Sequence, residues 1–326
     1  MINERVKKIL KKQHYGIVGN HSAIQICRWT KKSIRNEGVC YKEKFYGIKS
    51  HRCCQMSPAV MWCDNKCLHC WRAIEETIGD EIKGEIDSPK EIIESCIKAQ
   101  RKLLEGFKIL PKTKEITLSK ADMKKWEEAQ EPMQFAISLS GEPTIYSYIA
   151  ELILELRKRG KTSFLVTNGL HPDKLKELVK KNALPTQLYI SVNAPNKETF
   201  KKIARSSKKN AWELLNESLE IMSKMETRTV FRINIIRDWN MSEKDIKEYA
   251  EMINKYKPLF VEIKGYMSVG FARERLGYDK MPTEEEVKEF SGKLAKQTKL
   301  KILDSHEYSR AYILGKNKKE MKIKKI

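Results

Sequence analysis

The sequence predicts an α/β protein whose parallel strands form a partly open barrel of the (βα)6 type. Three observations carry this expectation. Short apolar or β-branched runs occupy residues 59–62, 134–139, 163–167, 187–192, 230–236 and 259–263. Residues 89–106, 145–160, 172–182, 211–225, 243–255 and 283–296 follow them in turn and carry apolar side chains at helical spacing. The alternation is regular, and strand-helix units repeated in this way imply a parallel sheet with right-handed crossovers.

Taken in order, residues 1–57 form a basic, cysteine-bearing N-terminal cap, and the run at 59–62 opens the barrel, which extends over 58–305. The stretch 109–132 breaks the rhythm with mixed Lys and Glu around Trp126, and reads as a solvated insertion between the first helix and the second strand. The five units that follow are regular. Residues 301–303 are an extra strand, and 306–326 are a basic C-terminal tail.

Of the 326 residues, 40% are hydrophobic and 33% charged, which excludes a disordered or membrane-embedded chain. Lys and Arg number 64 against 43 Asp and Glu, a net charge of +21, so the surface field suits a polyanion, nucleic acid foremost. Both ends are basic: residues 1–36 hold nine Lys or Arg against Glu4, and 316–325 hold six Lys against Glu320. No stretch approaches the roughly 18 apolar residues of a membrane span. The N-terminus lacks the apolar run of a signal peptide, so a cytoplasmic monomer without a membrane partner is expected.

Eight cysteines in a reducing compartment point to metal rather than disulfides, and seven of them fall between Cys27 and Cys70. The sharpest motif is Trp62-Cys63-Asp64-Asn65-Lys66-Cys67-Leu68-His69-Cys70-Trp71, a C-x3-C-x2-C triplet. Three thiolates on one short loop ligate three irons of a [4Fe–4S] cubane and leave the fourth iron open. An open iron can chelate the amino and carboxylate groups of S-adenosylmethionine, whose carbon–sulfur bond a cluster electron then cleaves to a 5′-deoxyadenosyl radical. The competing reading is a zinc tetrahedron of Cys63, Cys67, Cys70 and either Cys53 or His69, although zinc motifs more usually pair C-x2-C knuckles. With His69 before the last cysteine and a strand before the loop, the motif resembles the radical S-adenosylmethionine superfamily.

Upstream, Cys27, Cys40 and Cys53 are each separated by thirteen positions. They can meet only through folding, and beside the triplet they suggest a second cluster with its own open iron. Cys54 competes with Cys53 for that role; for Cys54 and Cys96 the reading preferred here is that of small buried hydrophobes. Lys42 and Lys49 lie between Cys40 and Cys53, where a desolvated amine can form a Schiff base with a keto acid. The position two residues after Cys40 favours Lys42, and Lys264 at another strand end is a third option.

The expected strand ends are equipped to complete a cofactor pocket. Ser140, Gly141 and Glu142 follow the second run, with glycine allowing backbone carbonyls to approach a ligand ammonium group. Thr167 and Asn168 follow the third and Ser191 and Asn193 the fourth, with side chains suited to ribose hydroxyls or a carboxylate. Each is an ordinary turn by itself. Their recurrence at successive strand ends is the signal.

The two cysteine sets, the string Tyr46-Gly47-Ile48-Lys49-Ser50-His51-Arg52-Cys53-Cys54-Gln55-Met56, and Ser138-Leu139-Ser140-Gly141-Glu142-Pro143-Thr144 together resemble the tRNA 4-demethylwyosine synthase family over nearly the whole chain. The resemblance implies that Cys63, Cys67 and Cys70 bind the cluster that cleaves the cofactor, that Cys27, Cys40 and Cys53 bind the second [4Fe–4S] cluster, and that Lys42 anchors pyruvate. It also implies the reaction. Pyruvate condenses with 1-methylguanosine of phenylalanine tRNA: hydrogen is taken from the guanosine methyl group, the carbon radical adds to pyruvate, and the pyruvate carboxylate leaves before a third ring closes. An electron donor, which the sequence does not identify, is required. Two alternatives stand beside this reading: another radical enzyme acting on RNA or protein, and a zinc-stabilised RNA-binding module. The upstream cysteines argue against a single-cluster activase.

Overall fold

The computed structural model describes residues 1–107 and 121–324. They divide into two compact units, one formed by Met1–Val60, Glu81–Leu165 and the residues from Lys322, the other by Met61–Asp80 and Val166–Met321.

The first unit carries β1 (Gly16–Val18), β2 (Ser22–Gln25), β3 (Cys53–Ser57), β4 (Gln134–Ile137) and the start of β5 (Thr162–Thr167). β1, β2 and β3 pair antiparallel in sequence, whereas β3, β4 and β5 pair parallel. The first 57 residues, expected as a cap, thus contribute three strands to this sheet. The strand expected at 59–62 lies earlier, at Cys53–Ser57. Pro58 has no N–H to continue the ladder and Met61 takes φ +71°, so the apolar run 59–62 is buried as turn rather than strand.

Helix Pro89–Leu104 begins with a reciprocal Ser88/Glu91 capping box and a proline in its first turn. It buries Ile92, Ile93, Cys96, Gln100 and Leu104 along one face. The expected insertion is only partly described, since residues 108–120 lie outside the described set. Its second half is not a solvated excursion. Helix Met123–Ala129 packs with Ile26, Ile34 and Leu104, and the Trp126 indole donates to the Leu104 carbonyl at 2.8 Å. An amphiphilic tryptophan that buries its ring and satisfies its N–H accounts for the difference.

The second unit carries β6 (Gln187–Ser191), β7 (Arg228–Ile235) and β8 (Phe260–Gly265) in parallel, then β9 (Lys301–His306) and β10 (Ala311–Gly315), with β10 lying antiparallel between β8 and β9. β10 falls in the segment expected as a tail. All five of its residues are buried, so it lacks the alternation that marks a half-exposed strand. Beyond it, the Arg228 guanidinium donates to the Glu320 and Met321 carbonyls at 2.7 and 2.8 Å, while Lys316, Lys318 and Lys319 stay exposed. Capping boxes at Ser242/Asp245 and Thr283/Glu286 start the helices Glu243–Tyr256 and Glu284–Thr298. Among the described residues no helix is long and apolar enough to cross a membrane.

Candidate active site

The triplet loop belongs to the second unit and is held by its backbone. Cys63 donates to Gly79 O at 2.8 Å, Lys66 to Ala204 O at 3.0 Å and Leu68 to Ile203 O at 3.0 Å. Asp64, 1% exposed, meets His171 Nε2 at 2.9 Å through Oδ2 and Lys208 Nζ at 3.0 Å through Oδ1. Burial works against its charge, yet the hydrogen bond from His171 and the nearby Lys208 hold the carboxyl below its usual range. Arg72, also buried, donates to Asn65 O and Thr77 Oγ1, each at 2.9 Å.

Cys63, Cys67 and Cys70 form no disulfide and are partly exposed. The desolvated surroundings of Cys67 push its thiol up, and the neighbouring Cys63 and Cys70 sulfurs push it further. Three thiolates in such mutual repulsion are stabilised by a bound cation, and a cubane accepts them at three separate irons. The set therefore fits a cluster.

The upstream set lies in the first unit. Cys27 caps helix Arg28–Ile34, its sulfur accepting Thr30 N–H at 3.3 Å, and Cys40 caps helix Tyr41–Tyr46. Ser50 ties the two together: its carbonyl accepts the Thr30 hydroxyl at 2.9 Å, its Oγ accepts Cys40 N–H at 2.9 Å, and its own N–H donates to Glu43 at 2.7 Å. Burial pushes the Cys53 thiol well up, Cys27 and Cys40 push it further, and Lys42 opposes them, so these four groups share one electrostatic neighbourhood. Cys54 faces the other way, as the alternation of a strand requires. It is fully buried and hydrogen-bonded to the equally buried Cys96.

Lys42 is 8% exposed, with Nζ 5.2 Å from the centre of the Phe164 ring. Lys49 instead is an exposed lysine paired with Glu128 at 3.2 Å, and Lys264 sits half-buried near the end of β8. Of the strand-end residues, Ser140 is buried with its Oγ without a hydrogen-bond partner among the described residues. Gly141 takes φ +75°, and Glu142 accepts the Thr144 N–H and hydroxyl at 3.0 and 2.7 Å. Thr167 and Asn168 close their own turns by accepting Gly169 and Leu170 N–H. Ser191, half-buried, ends β6 beside Arg232. Asn193 approaches the triplet loop directly, its amide nitrogen 3.3 Å from His69 Nε2. Burial, then Arg232 and Arg275, lower the His69 pKa to about 4, so the ring is neutral and can accept that N–H. The sequence reading did not find Asp64, Arg72, His171 or Lys208 as parts of the site. Asp64 and Arg72 lie in or beside the triplet, and a buried charge between ligands is the signal that was available.

The radical SAM superfamily model matches residues 58–252, and a model for wyosine base formation matches residues 255–316. Fold and site together define a radical S-adenosylmethionine enzyme, α/β with an open sheet. The S-adenosyl-L-methionine-dependent tRNA 4-demethylwyosine synthase of Pyrococcus abyssi is 45% identical over 312 residues, covering 95% of this chain and 88% of its own. A structure of TYW1 with a lysine-pyruvate adduct bound shares 34% identity at a TM-score of 0.84, covering 99% of this chain and 98% of that one. A crystal structure of archaeal TYW1 shares 31% identity at 0.77, covering 99% of both chains. The chain belongs to the tRNA 4-demethylwyosine synthase family. Its class uses S-adenosylmethionine and a [4Fe–4S] cluster, and its family two clusters.

Proposed function

We propose that this chain condenses pyruvate with 1-methylguanosine of phenylalanine tRNA to give the tricyclic base, with Lys42 holding pyruvate and the two cysteine sets holding one cluster each. The observation that carries this reading is a buried lysine in the same electrostatic neighbourhood as Cys27, Cys40 and Cys53. Similarity to a TYW1 that holds a lysine-pyruvate adduct supports it.

A cluster on Cys63, Cys67 and Cys70, with S-adenosylmethionine, supplies one-electron chemistry. The residues of the chain do the rest. Lys42 Nζ adds to the ketone carbon of pyruvate and water leaves, giving an imine that fixes the substrate. Its low exposure limits hydrolysis of that imine, and the Phe164 ring restricts where the amine can swing. Asn193 holds neutral His69 in place beside Cys70. The basic surface binds the tRNA backbone by its phosphates, and a cytoplasmic location follows from a tRNA substrate.

The test is anaerobic incubation with S-adenosylmethionine, a reductant, labelled pyruvate and tRNA carrying 1-methylguanosine, followed by nucleoside mass spectrometry. Borohydride added without tRNA should fix the pyruvate label on the peptide containing Lys42. Label on another lysine, or none, overturns the anchoring role; absence of the tricyclic base overturns the reaction.

A further inference from the structure

We infer that Arg275 is a positioning residue for the cluster-binding loop, an inference that rests on reading Cys63, Cys67 and Cys70 as cluster ligands. Arg275 lies on the short helix Ala272–Leu276, in the region matched to wyosine base formation and 205 positions beyond Cys70. Its guanidinium reaches three carbonyls of the loop. Nε donates to Leu68 O at 3.2 Å, while Nη2 donates to Cys70 O and, at 3.2 Å, to Arg72 O. Nη1 is paired with Glu75 at 3.0 Å, and the arginine side chain is only 12% exposed.

The neighbouring residues hold the carbonyl in between. Phe271 N–H donates to Trp71 O at 3.1 Å. Gly270, at φ +56°, passes so close to that oxygen that any Cβ would collide with it. The carbonyls of Leu68, Cys70, Trp71 and Arg72 are therefore all satisfied by residues 271–275.

A loop bearing three ligands has many backbone orientations, and each peptide rotation swings a sulfur. A planar guanidinium with donors in a fixed fork removes that freedom, and it orients the Cys70 carbonyl and with it the Cα–Cβ bond that carries the thiolate. Lysine, a single rotatable point charge, cannot bridge three carbonyls. The region matched to wyosine base formation thus reaches back and fixes the backbone of the superfamily's cysteine loop.

The experiment compares Arg275→Met and Arg275→Lys with the parent chain, each reconstituted anaerobically. It follows iron release to a chelator and the change in the EPR spectrum when S-adenosylmethionine is added. Both variants should take up iron but release one cluster's share about 10- to 100-fold faster, the usual effect of losing an outer-shell partner. The cofactor-induced EPR change should broaden or vanish. Release and spectra like the parent's would overturn the inference, and so would full rescue by lysine, which would leave charge alone as the cause. If Arg275→Met does not fold, Arg275→Lys keeps the charge and most of the stem and decides the matter. Failure of the underlying reading looks different: a chain with Cys63, Cys67 and Cys70 all changed to Ala would then keep the cofactor-responsive signal.

Discussion

Cys40 caps the helix that carries Lys42, and its sulfur accepts the Lys42 backbone N–H at 3.5 Å. The lysine is therefore placed by helical backbone anchored at a proposed ligand, which couples the amine to the metal site without a flexible linker. Lys42→Ala should still cleave S-adenosylmethionine but make little or no tricyclic base, since the Cys63, Cys67 and Cys70 loop is untouched. Lys42→Arg should fail in the same way, because a guanidinium keeps the charge but forms no imine. Full product from Lys42→Ala at limiting pyruvate would exclude covalent anchoring.

Iron counting separates the two cysteine sets. Changing Cys27, Cys40 and Cys53 to Ala should leave about one cluster per chain, and so should changing Cys63, Cys67 and Cys70. Cys54→Ala is the control. Its buried sulfur pairs with Cys96, so the change should leave iron content intact while costing about 1 kcal/mol of stability through poorer packing. Iron loss in that variant would mean that Cys54, not Cys53, is the ligand.

Binding to tRNA should weaken steeply with salt. Deleting the C-terminus would be a poor probe, because Arg228 holds the carbonyls of Glu320 and Met321. Lys316, Lys318 and Lys319 are exposed and can be changed to Ala together without removing those bonds. For every RNA phosphate that these lysines neutralise, the triple change should flatten the slope of log K against log salt by about 0.7 to 0.9. A slope unchanged from the parent's would show that this end does not touch the RNA.

The alternation of strands and helices was legible because most helices bury one stripe and their capping signals are local. β10 was not legible, since Ala311 to Gly315 is buried on both faces and runs straight into the basic stretch 316–325, which reads as tail. β1 and β2 are too short to show a period. The triplet was plain because its ligands are neighbours in sequence. The convergence of Cys27 and Cys40 depends on Ser50, whose three hydrogen bonds to Thr30, Cys40 and Glu43 no spacing rule reveals. The same holds for Arg275, whose role depends on carbonyls some 200 positions away.

Glu286 gives a stability test away from the metal sites. It completes the capping box of helix Glu284–Thr298, accepting Thr283 N–H at 2.6 Å, and takes Arg237 Nε and Nη2 at 2.9 and 2.5 Å. The Arg237 hydrogen bonds hold its carboxyl below the usual 4.5 even though burial works against the charge. A carboxyl lowered in the folded state adds stability above its unfolded value and loses it as pH falls through the folded one. Glu286→Gln should therefore cost about 0.5–1 kcal/mol at pH 7, a modest figure because the partly exposed pair is screened by salt. For a chain of this size that corresponds to about 1–3 °C in Tm. Measuring the difference in Tm between variant and parent at each pH cancels whatever acid does to both proteins. The gap should shrink steadily below about pH 4.5. A gap that stays constant from pH 7 to 3.5 would show that the carboxylate charge contributes nothing and that the glutamine disturbs packing alone.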